Sequence, residues 1–531
     1  MSKFRALLLV STILPIAACS GADDIASPGE GGLVIINPPA TPTPPTTPPP
    51  PTTPPGTPAA ACPAIAGVSD AGVVGNRRAC RLPSLISSDL RLTATAGVAY
   101  MIDGRVDVGV DLGGTQSGNN TGRAAILTID PGAVLFGNSG VDATPDVLIV
   151  NRGSRLQAEG AANRPIIFTS RQNVAGTATD NDQNQWGGVV LAGRAPISDC
   201  DPLVSTSTTG GTDGCARVVE GTGNVAGGGG SAGDSSGSIR FVQIRYSGQI
   251  IGANNELQGL TTVGVGSNTI IDHVQVHNSG DDGVEFFGGT HNGRYLVITG
   301  ADDDDVDVDN GYRGSLQFVL GFKRTGNGSS NPRNLEVDTA GSTQPADSLP
   351  RTWLRMSNFT FFNPLTAFAN DTMIIHGGAD ANLVNGIVVS AGTNCLDIDD
   401  AATVRAADAA LQDRGPPVFN SLFFQCANAA AEDTNVTRAQ IEAILNAGTN
   451  NVLAGQNGLT NGYFPGSGAS AVPAFNVSAL NTAAGDTFFQ PVNFIGAINA
   501  SNQAEYQGWT CNASYISFGA SSGNCTAIPA T

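Results

Sequence analysis

The chain has 531 residues, a net charge of −19, and 68 glycines against 26 lysines and arginines. An acidic surface of this kind argues against nucleic acid or an anionic membrane face as a partner and suits cations or neutral ligands. Short Val/Ile/Leu/Phe runs punctuated by Gly and Asn argue against a helical protein and for many short strands joined by tight turns.

Lys3 and Arg5 precede an apolar run, Ala6 to Ile16, which is too short to span a bilayer and reads as an export signal over residues 1–18. It ends in Ile16-Ala17-Ala18-Cys19, which resembles a bacterial lipobox. The resemblance implies lipidation of Cys19. Ser20, standing where an aspartate would retain the protein at the inner membrane, implies the outer membrane, at its cell surface or its periplasmic face. Residues 19–58 then form a tether. Its NPPATPTPPTTPPPPTTPPGTP stretch (37–58) predicts extended polyproline that reaches roughly 65 Å. With Cys19 assigned to lipid, the eight remaining cysteines suit disulfides in an exported chain. Sequence does not determine connectivity, but pairing near neighbours closes the smallest loops: Cys62–Cys80, Cys200–Cys215, Cys395–Cys426 and Cys511–Cys525.

Residues 59–123 read as an N-terminal cap, and a repeat follows over 124–400. FVQIRYSG (241–248) aligns with HVQVHNSG (273–280), YLVITG (295–300) and QFVLG (317–321). That frame puts Val242, Val274, Leu296 and Phe318 in one inward column, with Ile244, Val276, Ile298 and Leu320 in another. DDGVEFFGG (281–289) recurs 22 residues later as DDDVDVDNG (303–311). A period near 22 residues with strand-like alternation predicts an all-β solenoid, a right-handed parallel β-helix. Residues 401–531 read as final coils and a disulfide-stapled C-terminal cap, with helices over 401–415 and 436–448 as an insertion.

Alternation turns Val306 and Val308 inward, so Asp305, Asp307 and Asp309 point outward. Glu285 then lies one coil below Asp307, and NLEVDTAG (334–341) places Glu336 over Asp307 and Asp338 over Asp309. Coils ~4.8 Å apart make this a carboxylate ladder. Like charges so close raise one another's pKa or recruit a cation, and the oxygen-only ligand set suits Ca²⁺. Asp302 to Asp304 and Asn310 offer further turn ligands. The competing reading is a solvated acidic stripe. On another face Phe241, His273 and Tyr295 stack, with Gln243 and Gln275 beside them. Stacked rings flanked by amides bind sugars, or lie beneath a covering loop. Trp186 reads as a cover for the core, and nothing in the spacing of His291 and His376 marks them as metal ligands.

QWGGVVLAGRAPI (185–197), GLTTVGVGSNTIIDHVQVHNSGDDGVEFFGGT (259–290), DNGYRGSLQF (309–318) and YQGWTC (506–511) resemble a family of uncharacterised bacterial β-helix lipoproteins over roughly residues 120–531. The resemblance implies an outer-membrane setting, alongside TonB-dependent receptors, and supplies no catalytic residues. Two classes of function follow. One is a non-catalytic surface protein that binds a glycan, a cation-bridged polymer or a transporter. The other is a polysaccharide lyase or hydrolase acting on acidic glycans. A lyase needs a base beside Ca²⁺, with Arg294, Arg313 and Lys323 as candidates. A hydrolase needs paired carboxylates, for which Asp281, Asp282 and Glu285 offer a faint motif without its His and Arg-Lys companions.

Overall fold

β-branched and aromatic residues at every second position, closed off by glycine turns, wind the chain into stacked coils, each contributing one strand to each of two parallel sheets. A computed structural model describes residues 56–117, 121–138, 145–252, 255–326, 332–340, 344–366 and 371–529. The signal sequence, Cys19 and the tether up to residue 55 lie outside the described residues. The longer sheet runs coil by coil from Arg77–Arg81 through Gly237–Arg245, Ile270–His277, Asn292–Thr299, Ser315–Phe322 and Trp353–Asn363 to Val418–Asn420. The second sheet runs from Leu85–Ile86 through Leu260–Val263, Val284–Phe287, Val306–Asp309, Leu335–Val337 and Asp371–Ile375 to Asn428–Ala430. This is the expected all-β parallel β-helix. The inward columns Val284–Val306–Leu335 and Phe286–Val308–Val337 are fully buried between the sheets.

The coils begin earlier than expected. Val98–Ile102 and Arg105–Val108 already belong to the two sheets, so within 59–123 the capping element is the antiparallel pair Ser69–Val74 and Arg77–Arg81. At the far end, helix Arg438–Ala447 lays Ile441 and Leu445 over the last coil. The expected helix over 401–415 reduces to Ala401–Val404 and a single turn at Ala409–Leu411. Arg405 is drawn out of it to Asp347 and Asp413, and the Asp408 carboxylate caps a turn instead, so tertiary ties override helical spacing. All four disulfides pair near neighbours as expected: Cys62–Cys80, Cys200–Cys215, Cys395–Cys426 and Cys511–Cys525.

The repeat frame needs one correction. Leu296 pairs with Val319 and Ile298 with Gly321, so Phe318 and Leu320 do not stand in the inward columns. Phe318 stands instead over Tyr295, 4.8 Å between ring centroids. The same left-handed kink repeats on successive coils. Phe241, His273, Tyr295, Phe318, Asn358 and Asn385 all have φ between 50° and 62°, and the pairing register skips each of them. A constant spacing of 22 residues misses the one residue by which the coil from Tyr295 to Phe318 is longer.

After Gly448 the chain stops coiling and returns along the outside of the longer sheet. Phe475 meets Asn385, Gln490 meets Gln317, Cys511 meets Gln275, and Ala527 meets Arg245. We call residues 488–529 the strap. It explains the amide rows. Gln275 donates to Cys511 O (3.1 Å) and accepts from Cys511 N (2.6 Å), and Gln317 makes the same pair with Gln490 at 2.8 Å each. Side-chain amides of the sheet here satisfy the backbone N–H and C=O of the strap, which has no partner strand of its own at these residues.

Candidate cation-binding strip

The carboxylate ladder exists on the second sheet. The register stacks Glu285, Asp307 and Glu336 on Val284–Phe287, Val306–Asp309 and Leu335–Val337, with Thr261 below and Ile374 above. Asp338 follows at the end of its strand, its N–H bonded to Val308 O at 3.1 Å. The turns before the strands add a second row, because the DD pairs repeat with the coil. Asp282 Oδ1 accepts from Asp304 N at 2.8 Å, and Asp304 Oδ1 accepts from Arg333 N at 2.8 Å. Oxygens of Asp282, Glu285 and Asp307 lie within 4.8 Å of one another, as do those of Asp281, Asp282 and Asp303. A third group of ligand atoms within that distance joins Glu336, Asp338 and His376.

These carboxylates are only partly satisfied. Glu285 Oε2, Asp307 Oδ1, Asp309 Oδ1 and Asp338 Oδ1 are buried without a hydrogen-bond partner. Glu285 is 5% exposed and Asp338 8%. Burial first, and then neighbouring carboxylates, push Glu285 and Asp307 well above the ordinary carboxylate range. Burial also raises Asp309, against the opposing charge of Arg217. Glu336 goes the other way. Burial would raise it, but the His376 Nε2 hydrogen bond (2.9 Å) and the Arg333 guanidinium (2.8 Å) outweigh that and hold it at about 2.

The side chains around the strip come from three places. Arg217 reaches over from the Arg217–Val218 hairpin strand, 4.4 Å above the Phe287 ring and 3.1 Å from Asp199. Burial would lower its pKa, but Asp309, Asp199, Glu285 and Glu220 raise it. Gln258 donates to Glu220 at 3.0 Å and reaches Asp281 at 3.4 Å. Val219, Val225 and Leu257 pack on Val147, Val190 and Val263, so this insertion covers the second sheet on the N-terminal side of the strip. Of these residues, His376 corrects the reading that its spacing does not mark it as a ligand, and one signal could have found it. Ile375 stacks on Val337, so one more coil of the repeat puts His376 beside Asp338, 3.9 Å away. Arg217 and Glu220 arrive from an insertion outside the repeat and leave no periodic signal.

Asp305 leaves the expected ligand set. It precedes its strand, at a corner where Gly283 and Asn334 hold the equivalent places one coil below and above, and the backbone turns it into the core. There it is fully buried, 3.1 Å from Lys323 Nζ, and accepts a hydrogen bond from Asn334. Alternation holds inside a strand and fails at the turn that starts it. Asp302 likewise faces Arg324, at 3.7 Å, and Asn310 bonds Asp309 and Gln344.

The three expected lyase bases are elsewhere. Lys323 is locked on Asp305, Arg294 lies 4.5 Å over Phe488 on the opposite sheet, and Arg313 donates to Gln412 at 2.6 Å. Arg217, Arg333 and His376 stand beside the strip instead. The aromatic row is also placed differently from an open sugar platform. Phe241–His273 and His273–Tyr295 stack at 4.4 and 4.3 Å, but Trp509 and Tyr506 of the strap cross them edge-on at 5.3 and 5.7 Å. Gln243 and Gln275 are fully buried and bond strap carbonyls. These residues bind the chain's own C-terminal segment, which is the covering-loop alternative. Trp186 is fully buried, its Nε1 donating to Arg245 O at 2.8 Å. His291 is packed between Phe286 and Tyr312 in the core.

The family model for a pectate-lyase-like β-helix domain matches residues 116–462, which contain the whole strip. No curated protein and no solved structure matches the chain.

Proposed function

Starting from a chain that belongs to the pectate-lyase-like β-helix family, we propose that its acidic strip binds a hard divalent cation, Ca²⁺ in first place, and through it an acidic polysaccharide. The observation that carries this reading is the set of buried carboxylate oxygens on adjacent coils with no protein partner. Two oxygens that share one Ca²⁺ at about 2.3–2.6 Å can stand no more than about 5 Å apart. The Asp282, Glu285 and Asp307 oxygens meet that limit. Leaving such groups unpaired in a partly buried strip is costly, and a cation removes the cost. Glycan carboxylates then complete the coordination, and Arg217 and Arg333 flank the strip as clamps. The export signal, the lipobox-like Cys19 and the Pro/Thr tether support an outer-membrane anchor that holds this strip away from the membrane.

The test is Ca²⁺ titration by calorimetry, with thermal unfolding in EDTA and then in Ca²⁺. Free Ca²⁺ at 100 times its Kd should stabilise the fold by about 2.7 kcal/mol. The response should vanish in Glu285→Gln/Asp307→Asn, and polygalacturonate should co-sediment with the protein only when Ca²⁺ is present. A wild-type melting curve indifferent to Ca²⁺ leaves a solvated acidic stripe and removes the proposal.

The family description favours a second reading, cation-assisted cleavage of the same class of glycan. A lyase base must give up its proton, and Arg217 and Arg333 sit among carboxylates that keep them protonated. That arrangement suits binding better than elimination. Release of unsaturated oligosaccharides from polygalacturonate, abolished by Arg217→Ala or Arg333→Ala, would reverse this order.

A further inference from the structure

The aromatic row on the longer sheet does not end under the strap. Phe318 passes it to Phe494, 6.5 Å away and tilted by 27°, and Phe494 lines a pocket of about 510 Å³ open to solvent. Phe464, on the small hairpin Leu459–Thr460 and Phe464–Pro465, is the second aromatic residue that lines it. Tyr463 stacks behind Phe464 at 5.0 Å, and its hydroxyl donates to Ser517 O at 2.7 Å, so the ring is braced from behind. Thr460, Asn461, Asn493 and Asn499 provide the polar rim. The side chains of Asn461 and Asn493 face solvent and make no hydrogen bond to the described residues. No charged side chain lines the pocket. Most of it lies beyond residue 462, outside the family-matched region, so the chain's own C-terminal segment builds it.

We propose that this pocket binds a neutral oligosaccharide. The volume falls in the ordinary range for small-ligand sites, about 300–1,000 Å³. A pyranose has one face of C–H bonds and a rim of hydroxyls. The aromatic walls match the face, and amides that both donate and accept match the rim. An acidic sugar would enter without a counter-charge, so the lining selects against it. Bracing by Tyr463 and Phe318 fixes both rings before the ligand arrives, which reduces the ordering cost of binding. This site is separate from the acidic strip and does not depend on a cation.

The test is calorimetry of the folded chain with neutral hexaoses of β-1,4-glucose, β-1,4-mannose and β-1,4-galactose, and with hexagalacturonate, all in EDTA. At least one neutral hexaose should bind with a millimolar Kd. Asn461→Gly/Asn493→Ala, in which glycine accepts the φ of 49° at position 461, should weaken it about tenfold with an unchanged melting curve. Phe464→Ala should abolish it. The proposal is overturned if no neutral hexaose binds, if the double variant binds as well as wild type, or if hexagalacturonate binds equally well.

Discussion

Lys323→Met removes one half of an ion pair that solvent does not reach. Lys323 and Asp305 side chains are both 0% exposed, with Nζ 3.1 Å from Oδ1. Nζ also donates to Ala301 O, at 3.3 Å, and to Asp303 O. Methionine fills the same channel and leaves the Asp305 carboxylate with Asn334 alone. Breaking a buried pair from one side costs about 3–5 kcal/mol, because a charge stays behind in a dry interior. Replacing both partners by apolar residues in Lys323→Met/Asp305→Leu should recover most of that loss. The pH dependence is a second, independent signature. Burial pushes the Asp305 carboxyl up to about 6, and Lys323 only partly offsets it. Its folded pKa is therefore above the unfolded value of about 3.9. The stability contributed by its protonation is fully present below about pH 4 and is lost as pH rises through about 6. Without Lys323 the carboxyl rises further, so the gap between wild type and variant should open above about pH 6 and narrow toward pH 4. Urea unfolding followed by circular dichroism at a series of pH values measures it. A loss under about 1 kcal/mol that stays flat with pH would mean that water reaches the pair and that the corner is not dry.

Two predictions concern the strap. Gln275→Ala strips Cys511 of both its backbone partners in a fully buried place, and should cost about 1–3 kcal/mol for each group left unsatisfied. Limited proteolysis should then cleave within residues 488–529 while the coils stay protected, and a uniform loss of protection across the chain would contradict a locally held strap. Cys511→Ser/Cys525→Ser opens a 14-residue loop and should cost about 3 kcal/mol, read by urea unfolding. It also loosens the Cys525 and Ala527 carbonyls that accept from Nη1 of the buried Arg245 at 2.7 and 2.8 Å, so exchange of the Arg245 Nη1 protons should quicken by NMR. Unchanged exchange would show that Arg245 keeps its partners without the disulfide.

The sequence by itself determined what repeats. Val306 and Val308 alternate with acids, DDGVEFFGG recurs as DDDVDVDNG, and a parallel stack forces residues one period apart to neighbour each other. The coils and the Glu285–Asp307–Glu336 row were therefore legible without coordinates, while the four disulfides match the smallest-loop pairing that sequence favours without determining. What only the tertiary structure decided is everything that departs from the period. The coil from Tyr295 to Phe318 takes 23 residues where the one before it takes 22, a slip that side-chain pattern cannot register because both neighbours are apolar. Asp305 reads as one more outward acid until the corner turns it onto Lys323. Arg217 comes to the strip from an insertion, and the strap from the far end of the chain covers the rings of His273 and Tyr295. Such contacts join residues hundreds of positions apart, as Gln243 and Trp509 do, and local pattern carries no trace of them. The burial they create is what turns a row of outward carboxylates into a strip with unpaired oxygens, and a row of outward rings into the root of a surface pocket.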